Sequence, residues 1–237
     1  MIDNARLKPA STAGLERLLD VAGNLLLQTG YQRVIPEEVA RRARVAPAAL
    51  YARFPTKESL FLTVLLRAHR LGVDDQVRRM RTDPAALLPS RMVRAHYLSV
   101  IGDPVLAALY SRDAGVLGRL VVEAGETLAT LVAARRAVLI DQLTVLRGLG
   151  CVRTERTPET QFHALMAIFH GWFLADEMST LPPGDLLRAD LLAETVTAAL
   201  EVGDPPLAAI AREQQRLADR YASLSDMIDR EWRRRVG

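Results

Sequence analysis

The chain has 237 residues, 49% hydrophobic and 25% charged, with Gly and Pro close to ordinary usage; this excludes collagen-like and disordered classes and leaves enough apolar material for a core. The formal net charge of +3 is uneven, residues 1–70 holding 11 Lys/Arg against 6 Asp/Glu and the remainder 20 against 22. Its one cysteine, Cys151, has neither a disulfide partner nor the companions of a zinc site, so a protein of a reducing compartment, the cytoplasm, with no metal or cofactor is expected.

A basic front on a neutral body suits a module that touches phosphates. Because every basic residue except Lys8 and Lys57 is arginine, codon bias accounts for the same excess. The first twenty residues have no apolar run ahead of their charges, so no secretion signal is expected. The longest uncharged stretch near helix size, 160–175, falls short of the roughly 18 apolar residues of a membrane span and contains His163 and His170.

Helical periodicity dominates, and strand alternation is nearly absent, which gives an all-α fold. The first helix is expected from Thr12 to Thr29, where Leu15, Leu18, Leu19, Ala22, Leu25 and Leu26 share one face and Gly30 supplies a left-handed stop. Pro36 opens a second helix of about two turns, with Val39, Ala40 and Ala43 opposite Glu37, Glu38, Arg41 and Arg42. A third short helix, Pro47 to Phe54, follows a tight Arg44-Val45-Ala46 connection. Thr56 caps a longer fourth helix whose stripe is Leu60, Phe61, Val64, Leu65, Ala68 and Leu71. Farther on, breakers such as Asp83-Pro84, Asp103-Pro104, Gly148-Leu149-Gly150, Thr157-Pro158 and Asp204-Pro205-Pro206 delimit helices near 84–101, 104–112, 115–147, 158–180, 185–201 and 206–235. In the last of these, Leu207, Ile210, Gln214, Leu217, Tyr221, Leu224 and Ile228 recur at 3-4 spacing as a seam with one polar break.

No phosphate loop, nucleophile elbow, H-E-x-x-H or C-x-x-C stands in the sequence, so no catalytic site is expected. His163 and His170 lie seven apart on one helix; with no cysteine near and only Asp176 and Glu177 beside them, they read as core or pocket residues before they read as ligands of a metal or an enzyme site. The stretch Gly30 to Phe61 is more specific. Two short helices joined by a tight turn and braced on both sides make a helix-turn-helix, whose second helix can present its first residues to base edges in a major groove. Here that helix offers Ala46, Pro47, Ala48 and Ala49, small enough for close approach, followed by Tyr51 and Arg53. Tyr51 and Lys57 suit phosphate oxygens, and Arg53 suits phosphate better than a guanine edge. Arg41, Arg42 and Arg44 read either as phosphate contacts or as a solvated face.

This segment resembles the DNA-binding domain of the TetR family of bacterial transcriptional regulators through Gly30-Tyr31, Val39-Ala40, Val45, Leu50-Tyr51, Phe54, Lys57-Glu58 and Leu60. The likeness covers roughly residues 10–65; the rest is similar only as a string of helices. It implies an N-terminal helix-turn-helix domain, 1–57, and a larger helical ligand-binding and dimerisation domain, 58–237, with 207–235 as an additional C-terminal helix. It further implies a homodimer formed through helices 158–180 and 185–201, a pseudo-palindromic double-stranded DNA operator, a small apolar or aromatic effector, and no membrane. Candidate effector contacts are Met92, His96 and Tyr97, Glu123, and Met166, Phe169, His170 and Phe173, the last four on a helix that also carries Phe162 and Trp172. Three departures from the family pattern stand out: Ile35 and Ala46 sit where side-chain caps are usual, and Arg44 sits where the turn has Gly. The missing caps leave room for an alternative, an interaction or adaptor protein of the same fold that has lost specific DNA readout.

Overall fold

The computed structural model describes residues 12–111, 114–117, 119–176 and 184–236. Its helices are α1 (Thr12–Arg33), α2 (Pro36–Ala43), α3 (Pro47–Arg53), α4 (Lys57–Thr82), α5 (Pro89–Ile101), α6 (Pro104–Tyr110), α7 (Ala114–Leu117), α8 (Leu120–Glu123), α9 (Gly125–Gly148), α10 (Pro158–Asp176), α11 (Asp185–Leu200) and α12 (Leu207–Val236), with a 3₁₀ turn over Pro84–Leu87. Among the described residues the only extended pairing is one isolated antiparallel bridge, Val152 to Glu201. None of the described helices is long and apolar enough to cross a membrane.

Two apolar cores organise the chain. The first joins Leu15, Leu18, Leu19, Ala22, Leu25 and Leu26 of α1 to Val39, Ala40 and Ala43 of α2, Leu50 of α3, Phe54, and Leu60, Phe61, Val64 and Leu65 of α4. The expected faces of α1 to α3 are therefore the buried ones. Gly30 departs from expectation: at φ 74° and ψ 156°, a conformation open to glycine, it kinks α1, which runs one more turn to Arg33. The kink swings Tyr31 into the core, edge-on to Phe61 at 5.8 Å between ring centres.

The second core runs from Leu62 and Leu66 through α5, α9, α10 and α11 to α12. α4, which begins at Lys57, contributes to both cores. Beyond Ala68 its buried face turns: Leu71 is exposed, while Gly72, Val73, Gln76, Val77 and Met80 are buried. Two neighbours cause the turn. A Cβ on Gly72 would meet Ser99 Oγ of α5 at 3.4 Å, and α12 lies antiparallel along α4, tied by Arg81 to Asp219, Ser225 to Asp74, Arg70 to Asp229 and Arg235 to Glu58.

The seam of α12 thus packs on its own chain, burying Ile210, Leu217, Tyr221, Leu224 and Ile228, although Leu207 is exposed. The polar break is satisfied, Gln214 Nε2 donating to the Met80 carbonyl at 2.8 Å. Tyr221 donates to Gln142 Oε1 of α9, and Gln142 Nε2 in turn donates to the Leu87 carbonyl. A buried network of this kind specifies one seating of the helix, because each partner left unpaired would carry its full desolvation cost. Val236 and Trp232, at the far end of α12, reach the first core.

Element limits differ in small ways. The stretch 84–101 opens with the 3₁₀ turn, its Asp83 carboxylate accepting from Ala85 N at 2.9 Å. The stretch 115–147 breaks into α7, α8 and α9. The end of the expected 158–180 helix, 177–180, lies outside the described residues.

Candidate DNA-binding face and ligand cavity

At the turn between α2 and α3, Arg44 adopts φ 57° and ψ 44°, and its N–H and that of Val45 return to the Arg41 and Ala40 carbonyls. This is the left-handed helix ending for which glycine is the unstrained residue. Pro47 then starts α3, where its missing N–H costs nothing. Neither Ile35, the N-cap of α2, nor Ala46, the N-cap of α3, makes a side-chain cap, whereas Thr56 Oγ1 accepts from Ser59 N at 3.0 Å at the head of α4.

Arg44, Ala46, Pro47, Ala48 and Tyr51 are exposed on one side of the domain, and Ala49, Arg53 and Lys57 are half-buried beside them. Four polar side chains on or beside this face, Arg41, Arg42, Tyr51 and Lys57, are engaged within the chain. Tyr51 donates its hydroxyl to Glu37 Oε1 at 2.6 Å, a bond that lowers the Glu37 pKa. Arg41 and Arg42 both bond Glu38, at 2.6 Å, and their hydrogen bonds lower its carboxyl to about 2. Lys57 Nζ donates to the Gln32 carbonyl at 3.2 Å and lies 4.8 Å from the Tyr31 ring centre.

The body holds a partly open cavity of about 520 Å³, walled by α4, α6, α7, α9 and α10. Of the residues singled out in the sequence, Met166, Phe169 and His170 line it. His96 stands one layer behind, its ring stacked on Phe169 at 5.2 Å and its Nε2 2.9 Å from Tyr110 Oη. Met92, Tyr97 and Phe173 do not line it: Met92 packs under the Tyr221 hydroxyl, and Tyr97 and Phe173 pack on each other in the core at 5.3 Å. The Glu123 side chain lies outside the described residues. His163 is exposed while His170 faces the cavity, so the two do not share a site. Among the described residues no three His, Cys, Asp or Glu side chains are grouped for a metal.

Apart from His170, the polar lining was missed in the sequence. It centres on Tyr110, the last residue of α6, whose Oη accepts from Arg135 Nη1 at 2.7 Å. Burial and the positive charge of Arg135 lower His69 to about 3, although part of its ring faces the cavity. The same two causes, with the neighbouring histidines, hold His96 well below its ordinary value. A neutral His96 accepts the Tyr110 O–H at Nε2, which completes a chain from Arg135 through Tyr110 to His96.

An exposed recognition helix on a three-helix head, joined by α4 to a helical body with a partly open cavity, defines a helix-turn-helix regulator fold. In agreement, the family model for bacterial regulatory proteins of the tetR family matches residues 18–64, and the sequence resemblance is borne out over that segment. No curated protein sequence matches the chain. Among solved structures, the chain is similar to NalD of Pseudomonas aeruginosa, the secondary repressor of the MexAB-OprM multidrug efflux pump, with TM-score 0.64 and 19% identity over 81% of this chain and 97% of that one. The SmeT–triclosan complex gives TM-score 0.59 and 20% identity over 82% and 96%. A Saccharomonospora viridis regulator in complex with choline gives 0.59 and 15% over 81% and 100%. These likenesses show a shared fold, a helix-turn-helix head and a helical C-terminal domain.

Proposed function

We propose that the chain is a homodimeric cytoplasmic transcriptional repressor, released from a pseudo-palindromic operator by a small, largely apolar or aromatic molecule. The observation that carries this reading is that one helix, α4, borders both the head and the cavity: Leu60 and Phe61 share the head's core with Leu50 of α3, Phe61 meeting the Tyr31 ring, and Leu65, Leu66 and His69 line the cavity one to two turns on. A ligand that seats against those residues acts on a helix of the core on which the recognition helix rests, and by linkage the DNA weakens ligand binding by the same factor. Two of the similar structures hold unlike small molecules, triclosan and choline, which supports the use of this fold as a ligand sensor. The outer faces of α10 and α11 support the dimer. On α10, Ala167, Gly171, Leu174 and Ala175 are exposed, and on α11 Leu186, Leu187 and Ala198, an apolar surface of the kind that a second copy covers.

Base edges fall to Ala46, Pro47, Ala48 and Ala49, and phosphates to Arg44, Tyr51, Arg53 and Lys57. A second reading has its own observation. Tyr51, Arg41 and Arg42 are held by Glu37 and Glu38, and α2 and α3 lack side-chain caps, which favours an adaptor with weakened DNA readout. One titration decides between them. The protein, Lys57→Ala and Ala49→Phe are titrated against duplexes from the region upstream of the protein's own gene and against scrambled duplex at two salt concentrations. A repressor prefers one upstream duplex, Lys57→Ala weakens both duplexes and reduces the salt slope by about one, and Ala49→Phe erases the preference alone. No sequence preference, with salt-independent binding or none, selects the adaptor.

A further inference from the structure

We infer that the cavity selects an organic anion, an ionised carboxylate on an apolar or aromatic body, with the carboxylate seated on Arg135 beside the Tyr110 hydroxyl. This inference rests on the cavity being the effector site and names the charge of what it takes. Its first support is an inward charge with no carboxylate partner among the described residues. Arg135 is half-buried in the lining, and one of its N–H groups is used by Tyr110 at 2.7 Å. Among the described residues no carboxylate pairs with it, and none lines the cavity. Several other arginines of the body meet carboxylates: Arg70 has Asp229, Arg94 has Asp190, Arg216 and Arg220 have Asp141, and Arg235 has Glu231. A guanidinium drawn partly out of water without a counter-charge is costly, and a planar carboxylate that takes two of its remaining N–H groups removes the cost.

The second support is that the rest of the lining brings no negative charge. His69 and His96 are kept neutral, and His170, stacked on the Tyr110 ring at 5.6 Å, carries no carboxylate to the site. Arg136 lies at the exposed edge, 5.7 Å from the Phe162 ring. The rest of the wall is aliphatic or aromatic, with Leu65, Leu109, Leu128, Leu131 and Leu139 facing the Phe162 and Phe169 rings, so the body of the ligand is apolar. A cation of the same shape would meet Arg135 at close range in a poorly screened site and be rejected.

The test is calorimetric titration of the full chain with three isosteres, 1-naphthoate, 1-naphthamide and 1-naphthylmethylammonium, repeated with decanoate, decanamide and decylammonium. The acid is expected to bind about ten- to a hundredfold tighter than its amide, and the ammonium weakest. Arg135→Gln should bring acid and amide level while amide affinity holds, showing that the cavity survives; Arg135→Lys should keep most of the preference, and Arg136→Gln all of it. Equal binding of acid and amide, tighter binding of the ammonium, an unchanged preference in Arg135→Gln, or no binding in either series overturns the inference. If the acids bind through Arg135 but leave the protein's affinity for its preferred duplex unchanged, the repressor reading fails and the anion site stands.

Discussion

The head and the cavity manage charge in opposite ways. On the head, Glu38 meets Arg41 and Arg42 at the surface within four residues, and Glu37 accepts the Tyr51 hydroxyl from the next helix. In the body, Arg135 reaches the cavity with a hydroxyl for company, and burial together with its charge holds His69 and His96 neutral. The first arrangement is local and screened by solvent, so changing one member moves little. The second is assembled from α4, α5, α6, α9 and α10 and shielded, so it is sensitive both to pH and to how those helices are held.

What holds them is largely α12, and the largest effect is expected there. Tyr221 is a fully buried ring whose hydroxyl closes the network to Gln142 and Leu87. Tyr221→Ala should cost about 3–5 kcal/mol through the void it leaves, with an added penalty for the orphaned Gln142. Tyr221→Phe, which keeps the ring and removes the bond, should lose a smaller part. Denaturant unfolding of the three proteins measures both, and a Tyr221→Ala protein as stable as its parent would mean that α12 does not brace the body.

The cavity histidines give the next effect. His69 and His96 have folded pKa values below the unfolded 6.5, so the unfolded chain binds more protons as the pH falls. Their contribution is complete above about pH 7 and is lost on acidification from 6.5 toward 3, by at most about 1.4 kcal/mol per pH unit for each group, and by less where the cavity mouth admits solvent. Between pH 7.5 and 5.5 carboxylates are silent, so a fall in the unfolding midpoint over that range reads the histidines. A His69→Gln, His96→Gln protein should lose most of the slope; the same slope in both proteins would place the titration elsewhere.

The contrast also explains what could be read from the sequence. The head is built from neighbours in the chain, so periodicity and punctuation gave its helices and its buried face, and the family pattern fell on contiguous residues. Gly30 was misread as a stop because a positive φ is the same signal whether the chain ends its helix or bends and resumes it. The helices of the body were legible too, but not the cavity. Met92, Tyr97 and Phe173 belong to apolar stripes that look the same as the stripe carrying Met166 and Phe169, and only the register between helices decides which face the void. Tyr110, His69 and Arg135 are single polar residues on helices otherwise read as core or surface. A polar residue interrupting an apolar face was the one signal available, and Gln142, which belongs to the α12 network instead, gives the same signal.

Smaller effects return to the head. Arg44 holds a left-handed conformation that costs a non-glycine residue roughly 1–2 kcal/mol. Arg44→Gly should recover about that much stability while weakening binding to any duplex, since it deletes a cation from the exposed face. Stability and affinity would then move in opposite directions, as expected of strain kept for a contact. If affinity for random duplex is unchanged, Arg44 does not touch phosphate.

The smallest effect tests whether the absent caps matter. Ile35 is 59% exposed, has the extended backbone of an N-cap, and offers no side-chain acceptor, while Glu38 stands three residues on. Ile35→Thr would place an oxygen within reach of the Glu38 N–H, the arrangement found at Thr56 and Ser59 in the same domain. The reciprocal half of a capping box should not form, because the Glu38 carboxylate is already held by Arg41 and Arg42. The gain is therefore one cap, about 1 kcal/mol or some 2–4 °C in Tm for a chain of this length. If the cap orders α2 against the DNA, operator affinity should rise with it. A higher Tm with unchanged affinity would mean that the family's cap serves folding alone, and that its loss here says nothing against DNA binding.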